Sequence, residues 1–197
     1  RQKMLHEMTD NLRRRGREES ILLLTPHDLA MKGKTLGAVA KVHRKPAIEM
    51  ALDILAKGEV GVASFNMQEA DIERFMKEPW VMTGSDGSAG HPRKYGSFPR
   101  KIRRYVFERK AIALIDAIRQ STSLPASTFG FKDRGELRIN AFADIIAFDP
   151  ATIADKSTYE QPAVLSEGMR YVLINGKIAV DQGRYNGALE GRPLPAR

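Results

Sequence analysis

The feature that most limits what this chain can become is a change in the spacing of its apolar residues near position 132. Upstream, short strand-like runs alternate with segments of helical spacing; downstream, the helical spacing disappears. Residues 1–15 read as a helix, with Met4, Met8 and Leu12 on one face and Arg13, Arg14 and Arg15 at the end that favours cations. Residues 21–24 read as a strand. Thr35 caps a helix running to about Arg44, and a second helix starts near Pro46 and stops at Gly58. Residues 60–65 form a strand candidate. Asn66 with Glu69 has the form of a capping box, opening a helix with Ile72, Phe75 and Met76 on one face and Pro79 at its end. Residues 80–83 read as a short apolar strand, followed by a Gly/Ser loop over 84–96. This alternation predicts an α/β fold with parallel strands.

Residues 98–110 read as a basic helix, and residues 111–120 are apolar at Ile112, Ile115 and Ile118. Ser123, Pro125 and Gly130 bracket one more short helix. Beyond the change of spacing, residues 143–148 read as a buried strand. Two apolar runs, 170–174 and 177–180, flank Asn175-Gly176. Both turn residues of a tight hairpin need positive φ, so an Asn-Gly pair between apolar runs is a strong hairpin signal. A boundary is therefore expected near residue 132, with an α/β segment over 1–132 and a small all-β segment over 133–197.

Composition narrows the chemistry. The 197 residues contain no cysteine, which removes disulfides, thiolate metal ligands and cysteine nucleophiles, and fits a reducing compartment such as the cytoplasm. No apolar run approaches the ~18 residues of a membrane span, and nothing resembles a signal peptide. The chain opens on Arg1 with helical character, which is expected of a piece of a longer protein. Lys and Arg number 32 against 24 Asp and Glu, a net charge of +8. Much of the excess lies in Arg93, Lys94, Arg100, Lys101, Arg103, Arg104, Arg109 and Lys110, a run that reads as a solvated helix face facing only Glu108.

Four histidines, His6, His27, His43 and His91, are too far apart in sequence for a local metal-ligand spacing. The Gly84-Ser85-Asp86-Gly87 stretch is more informative. It places an aspartate between glycines after an apolar run, where α/β folds carry catalytic groups outside the carboxyl ends of their strands. His91, Arg93 and Tyr95 follow in the same loop.

The block Pro79-Trp80-Val81-Met82-Thr83-Gly84-Ser85-Asp86-Gly87, with His91-Pro92-Arg93 and Gly96-Ser97-Phe98-Pro99-Arg100, resembles the C-terminal third of the N-acyl-D-amino-acid deacylases (D-aminoacylases) of the amidohydrolase superfamily. The likeness extends through Ser123-Leu124-Pro125-Ala126, Asp133-Arg134-Gly135, Ala143-Asp144-Ile145-Ile146 and Val172-Leu173-Ile174-Asn175-Gly176. Asn140 stands where the family commonly has glycine, a swap that left-handed dihedrals tolerate.

The resemblance implies the C-terminal part of a (β/α)8 barrel plus a small β-sandwich, with residues 80–83 as the last barrel strand. It implies Asp86 as the catalytic aspartate that takes a proton from the attacking water and passes it to the leaving amine, and as a candidate metal contact. Arg93 matches the arginine that binds the substrate α-carboxylate, and His91 a loop-shaping residue. Zinc is the implied cofactor of the whole enzyme, with its ligands in sequence this chain lacks, so none is expected on the chain alone. The implied partners are an N-acyl-D-amino acid and the remainder of the barrel or a second copy, with neither nucleic acid nor membrane among them. Two other readings stay open at this level: another amidohydrolase of dihydroorotase or hydantoinase type, and a basic nucleic-acid-binding module.

Overall fold

The computed structural model describes residues 2–87 and 90–194. Described residues within 1–68, 87–91 and 158–162 make one compact unit, and those within 69–86, 92–157 and 163–197 make another.

The first unit holds α1 (Gln2–Arg15), β1 (Ile21–Leu23), α2 (Leu36–His43), α3 (Ala47–Leu55) and β2 (Val62–Ser64). Arg1 of the expected first helix lies outside the described residues. Thr35 caps α2 by accepting a hydrogen bond from the Ala38 N–H at 3.1 Å, which satisfies a donor that the helix cannot pair internally. Arg44 ends the helix in a left-handed conformation, and Pro46 starts the next one. Leu23, Met31, Leu36, Val39, Ala40, Met50 and Ile54 form the core.

The two strands pair antiparallel, Ile21 opposite Ser64 and Leu23 opposite Val62, which corrects the expected parallel sheet. The reason is the connection. One helix between two strands returns the chain to the start of the first and makes a parallel pair. Two successive helices bring it back to where the first strand ended, so the second strand runs the other way.

The second unit opens with α4 (Glu69–Met76). The expected capping box is not made. Glu69 is the first helical residue, and its carboxylate takes the Arg104 guanidinium at 3.0 Å. Residues 80–83 do not form a strand, a second correction. A strand needs a partner ladder, whereas Val81 N–H returns to Glu78 O and Thr83 N–H goes to Gln120 O at 2.9 Å.

The basic helix starts earlier than expected, as α5 (Arg93–Arg100), and continues as a wider π-helical stretch over Lys101–Glu108. The expected 84–96 loop is therefore shorter; its Ser88 and Ala89 lie outside the described residues. Pro99 sits inside α5 and has no N–H to give to the Tyr95 carbonyl one turn back. The Ser166 hydroxyl donates to that oxygen instead, at 2.9 Å. The Arg109 N–H closes the π-helical stretch on Arg104 O at 2.8 Å. After α6 (Leu114–Ser121) and α7 (Ser123–Thr128) the helices end. Tyr105, Val106, Ile112 and Ala117 form the buried cluster among them.

A four-stranded antiparallel sheet follows, in the order β3 (Ile145–Phe148), β4 (Met169–Ile174), β5 (Lys177–Asp181), β6 (Arg184–Tyr185). The expected hairpin stands between β4 and β5, with Asn175 at φ 51° and Gly176 at φ 82°. Asn140 adopts φ 67°, the left-handed dihedral anticipated for it. The residues around the hairpin are tied together: Arg134 pairs with Asp144 and donates to Asn175 Oδ1 at 2.6 Å, while the Asn175 N–H donates to Asp144 Oδ1 at 2.7 Å.

Contrary to the buried strand expected over 143–148, β3 is an edge strand with Ile146 51% exposed. Its register sets Ile146 opposite Val172, Val172 opposite Val180, and Val180 opposite Tyr185, an apolar row across all four strands. The sheets among the described residues are this meander and the β1–β2 pair, a mixed α/β structure with no closed barrel among those residues. No helix among the described residues is long and apolar enough to cross a membrane.

Candidate active site

Asp86 follows the irregular segment after Pro79 and takes φ 41°. A left-handed backbone is uncommon outside glycine but readily adopted by aspartate. It turns the side chain outward, 82% exposed. The carboxylate Oδ2 lies 2.9 Å from Arg93 Nη2, and Arg93 Nε donates to the Asp86 carbonyl at 2.5 Å. One guanidinium thus grips both the side chain and the backbone of one aspartate.

Arg93 is aimed by what holds the start of α5. The buried Ser157 hydroxyl donates to the Pro92 carbonyl at 2.9 Å, one residue before the arginine. A Cβ at Gly96 would come 2.8 Å from Ser157 Oγ and 3.1 Å from Asp155 Cβ, so glycine lets the helix lie against these residues. Arg100 Nη1 reaches Asp155 Oδ2 at 3.1 Å and adds a third tie.

Thr83, three residues before Asp86, is held as firmly. Its hydroxyl oxygen accepts from Lys101 Nζ at 2.8 Å and shares a hydrogen bond with Ser121 Oγ at 2.9 Å, while Ser121 Oγ also lies 2.8 Å from the Ala117 carbonyl. Lys101 also donates to Gln120 Oε1 at 2.6 Å, and Gln120 Nε2 donates to the Met76 carbonyl at 2.8 Å. Lys101 is 6% exposed and Gln120 2%. Burial pushes the Lys101 ammonium down to about 8.

The sequence pattern placed Lys101 on a solvated basic face, and the structure corrects this. The run is not opposed by Glu108 alone. Arg103 pairs with Glu108 at 2.8 Å, Arg104 with Glu69, Arg109 with Glu73 and Arg100 with Asp155. The Arg104 guanidinium in turn holds the Glu69 carboxyl below its usual range. Arg100, Arg103, Arg104 and Arg109, four of the eight basic residues of the run, are thus opposed by carboxylates. The signal that this turn faces inward is the helical spacing of Phe98 and Tyr105 around Lys101, with Ile102 beside it.

In the first unit, His91 meets Tyr159 ring to ring at 5.1 Å, with 3.4 Å between Nε2 and the phenol oxygen, and Tyr159 meets Phe65 edge-on at 5.3 Å. Among the described residues no three histidine, aspartate or glutamate side chains gather where they would hold a metal ion. His6 stands apart beside Asp10, on the exposed face of α1.

The second unit thus carries an exposed aspartate clamped by the arginine that opens a helix. The amidohydrolase family profile matches residues 6–180, and the chain belongs to the amidohydrolase family. Within it, the chain is 36% identical over 156 residues to an N-acyl-D-glutamate deacylase of Alcaligenes xylosoxydans xylosoxydans, covering 77% of this chain and 31% of that protein. It is similar in structure to a D-aminoacylase studied for its binuclear metal centre, with TM-score 0.79 and 29% identity over 87% of this chain and 37% of that one. An N-acyl-D-glutamate deacylase of Bordetella bronchiseptica, complexed with zinc and a phosphonate mimic of the tetrahedral intermediate, gives TM-score 0.76 and 33% identity over 91% of this chain and 39% of that one. The chain spans about a third of the length of these relatives.

Proposed function

We propose that this chain supplies the acid–base aspartate and the carboxylate-binding arginine of an amidohydrolase that cleaves N-acyl-D-amino acids to a carboxylate and a D-amino acid. The observation that carries the reading is the Arg93–Asp86 clamp at 2.9 Å. In an N-acyl amino acid the α-carboxylate and the amide nitrogen hang from the same carbon. A guanidinium that grips the carboxylate beside Asp86 therefore brings the scissile amide next to the aspartate. Asp86 accepts a proton as water adds to the amide carbon and returns it to the nitrogen as the C–N bond breaks; such transfer is typically worth ~10²–10⁴ in rate. The preference for D substrates is carried over from the relatives.

Zinc, present in the Bordetella relative, does not fit the described residues, which offer no three-ligand group. In this reading its ligands belong to the part of the relatives' length that the chain does not span. Residues 1–132 then contribute to a (β/α)8 barrel and 133–197 to a β-sandwich, in a cytoplasmic enzyme. Support for the sandwich comes from the row Ile146, Val172, Val180, Tyr185. It leaves Ile146 and Tyr185 about half exposed, as a face awaiting a second sheet from the remaining polypeptide or another copy does.

The test is a titration of the ¹⁵N-labelled chain with N-acetyl-D-glutamate and with an N-acetyl amine lacking the α-carboxylate. The first is expected to shift the Arg93 Nε–H and Asp86 amide signals saturably, the second not, and Arg93→Ala to abolish the response. Equal shifts from both compounds overturn the carboxylate assignment. One equivalent of zinc bound by the chain alone overturns the placement of the metal ligands.

A further inference from the structure

We infer that Lys101 is a positioning residue of the Asp86 site: its buried ammonium knots Thr83 to Gln120 and so fixes the base of the short loop that presents Asp86 to Arg93. The inference rests on the reading of Asp86 as the acid–base group.

Stability does not account for a lysine at this place. Lys101 is almost wholly inside, yet both its bonds go to neutral oxygens, Thr83 Oγ1 at 2.8 Å and Gln120 Oε1 at 2.6 Å. Burial alone accounts for its depressed proton affinity, so no carboxylate among the described residues offsets the charge. Removing an unpaired ammonium from water is costly, and an apolar side chain of similar length fills such a position without that cost. What the lysine adds is connection. Its ammonium donates to two side chains at once, and through them reaches three places. Thr83 lies three residues before Asp86. Gln120, on α6, donates onward to the Met76 and Glu78 carbonyls at the end of α4, at 2.8 and 3.4 Å. Ser121 closes the group through a hydroxyl–hydroxyl hydrogen bond with Thr83 at 2.9 Å. Lys101 itself follows directly on α5, whose first residue is Arg93. One side chain therefore references the aspartate segment to the helix that carries its arginine. A main-chain stretch with no strand ladder has few other ways to keep its height.

The test uses the chain itself and reads the clamp rather than turnover. Solvent exchange of the Arg93 Nε–H, which donates to the Asp86 carbonyl, is followed by NMR in the parent chain, Lys101→Met, Thr83→Val and the double variant. Each single variant is expected to speed exchange about five- to tenfold, what losing one net hydrogen bond allows. The double variant is expected to be no faster than Lys101→Met, because both cut the same link. Exchange of the β4–β5 hairpin amides stays unchanged and reports an intact fold. Thr83→Val keeps the lysine and its bond to Gln120 Oε1, and is the second variant that keeps the test decisive if Lys101→Met misfolds. Unchanged Arg93 exchange in folded variants, or additive effects in the double variant, overturns the inference. If the clamp loosens as expected but Asp86 proves dispensable for hydrolysis, the positioning role stands and the catalytic reading fails.

Discussion

Replacing Asp86 by asparagine separates chemistry from stability more cleanly than any other change here. The carboxylate is 82% exposed and paired with a partly exposed arginine at 2.9 Å. Exposed ion pairs are typically worth about 0–1 kcal/mol, and asparagine accepts the φ of 41° as well as aspartate does. The amide oxygen can still accept from the guanidinium. The chain should therefore lose no more than about 1 kcal/mol in urea unfolding. Alanine would confuse the comparison by adding roughly 1–2 kcal/mol of backbone strain at this dihedral. Catalytically the loss is of another order, because an amide neither accepts nor returns the proton: turnover should fall about 10²–10⁴-fold. The assay is release of free amino acid from N-acyl-D-glutamate by a chimera in which this chain replaces the matching segment of the Bordetella deacylase. The Asp86→Gly chimera controls for loop conformation, since glycine keeps the dihedral and loses the carboxyl. Turnover within fivefold of the unmodified chimera in the asparagine variant refutes the acid–base assignment. A stability loss above about 2 kcal/mol refutes the view that this pair serves a site rather than the fold.

Gly168 has φ 82°, and a Cβ there would run into the backbone of the fully buried Ile153, so Gly168→Ala should cost about 2–4 kcal/mol by chemical denaturation. Lys101 binds its proton more weakly folded than unfolded, so between about pH 8 and the ordinary 10.5 the unfolded chain holds more protons. Stability should therefore rise with pH across that window, measured by urea midpoints, and the rise should vanish in Lys101→Met. Glu69 titrates in the opposite sense. Held ionised by Arg104, it contributes stability above the ordinary 4.5 that is lost as pH falls through its lowered value, and Glu69→Gln should blunt the acid side of the stability profile.

What could be read from the residues divides along physical lines. Local chemistry was legible. The Thr35 cap, the Asn175-Gly176 turn and the left-handed Asn140 depend on bonds and dihedrals within a few positions, and each stands as expected. A second turn of the same kind, Gln182-Gly183 between β5 and β6, was missed because glutamine lacks the short side chain that makes asparagine at home at φ 47°. Features set by distant partners were not legible. Residues 80–83 have the composition of a strand but no ladder to join. The 98–110 run looks like a solvated face until Glu69, Glu73 and Asp155 arrive from elsewhere in the chain. Asp86 and Arg93 stand out from their loop in the sequence, and the family likeness supplies the roles expected of them. Their mutual grip, and the lysine beneath it, needed the three-dimensional arrangement.

The proline within α5 has a consequence of its own. Because Pro99 leaves the Tyr95 oxygen to the hydroxyl of Ser166, the helix that begins at Arg93 is bolted to the chain just three residues before β4 starts. Sliding that strand by one place would drag the bolt by about 3.3 Å. Insertions or deletions in the meander are thus transmitted to the aim of the guanidinium, and a stretch remote from any chemistry becomes part of its calibration.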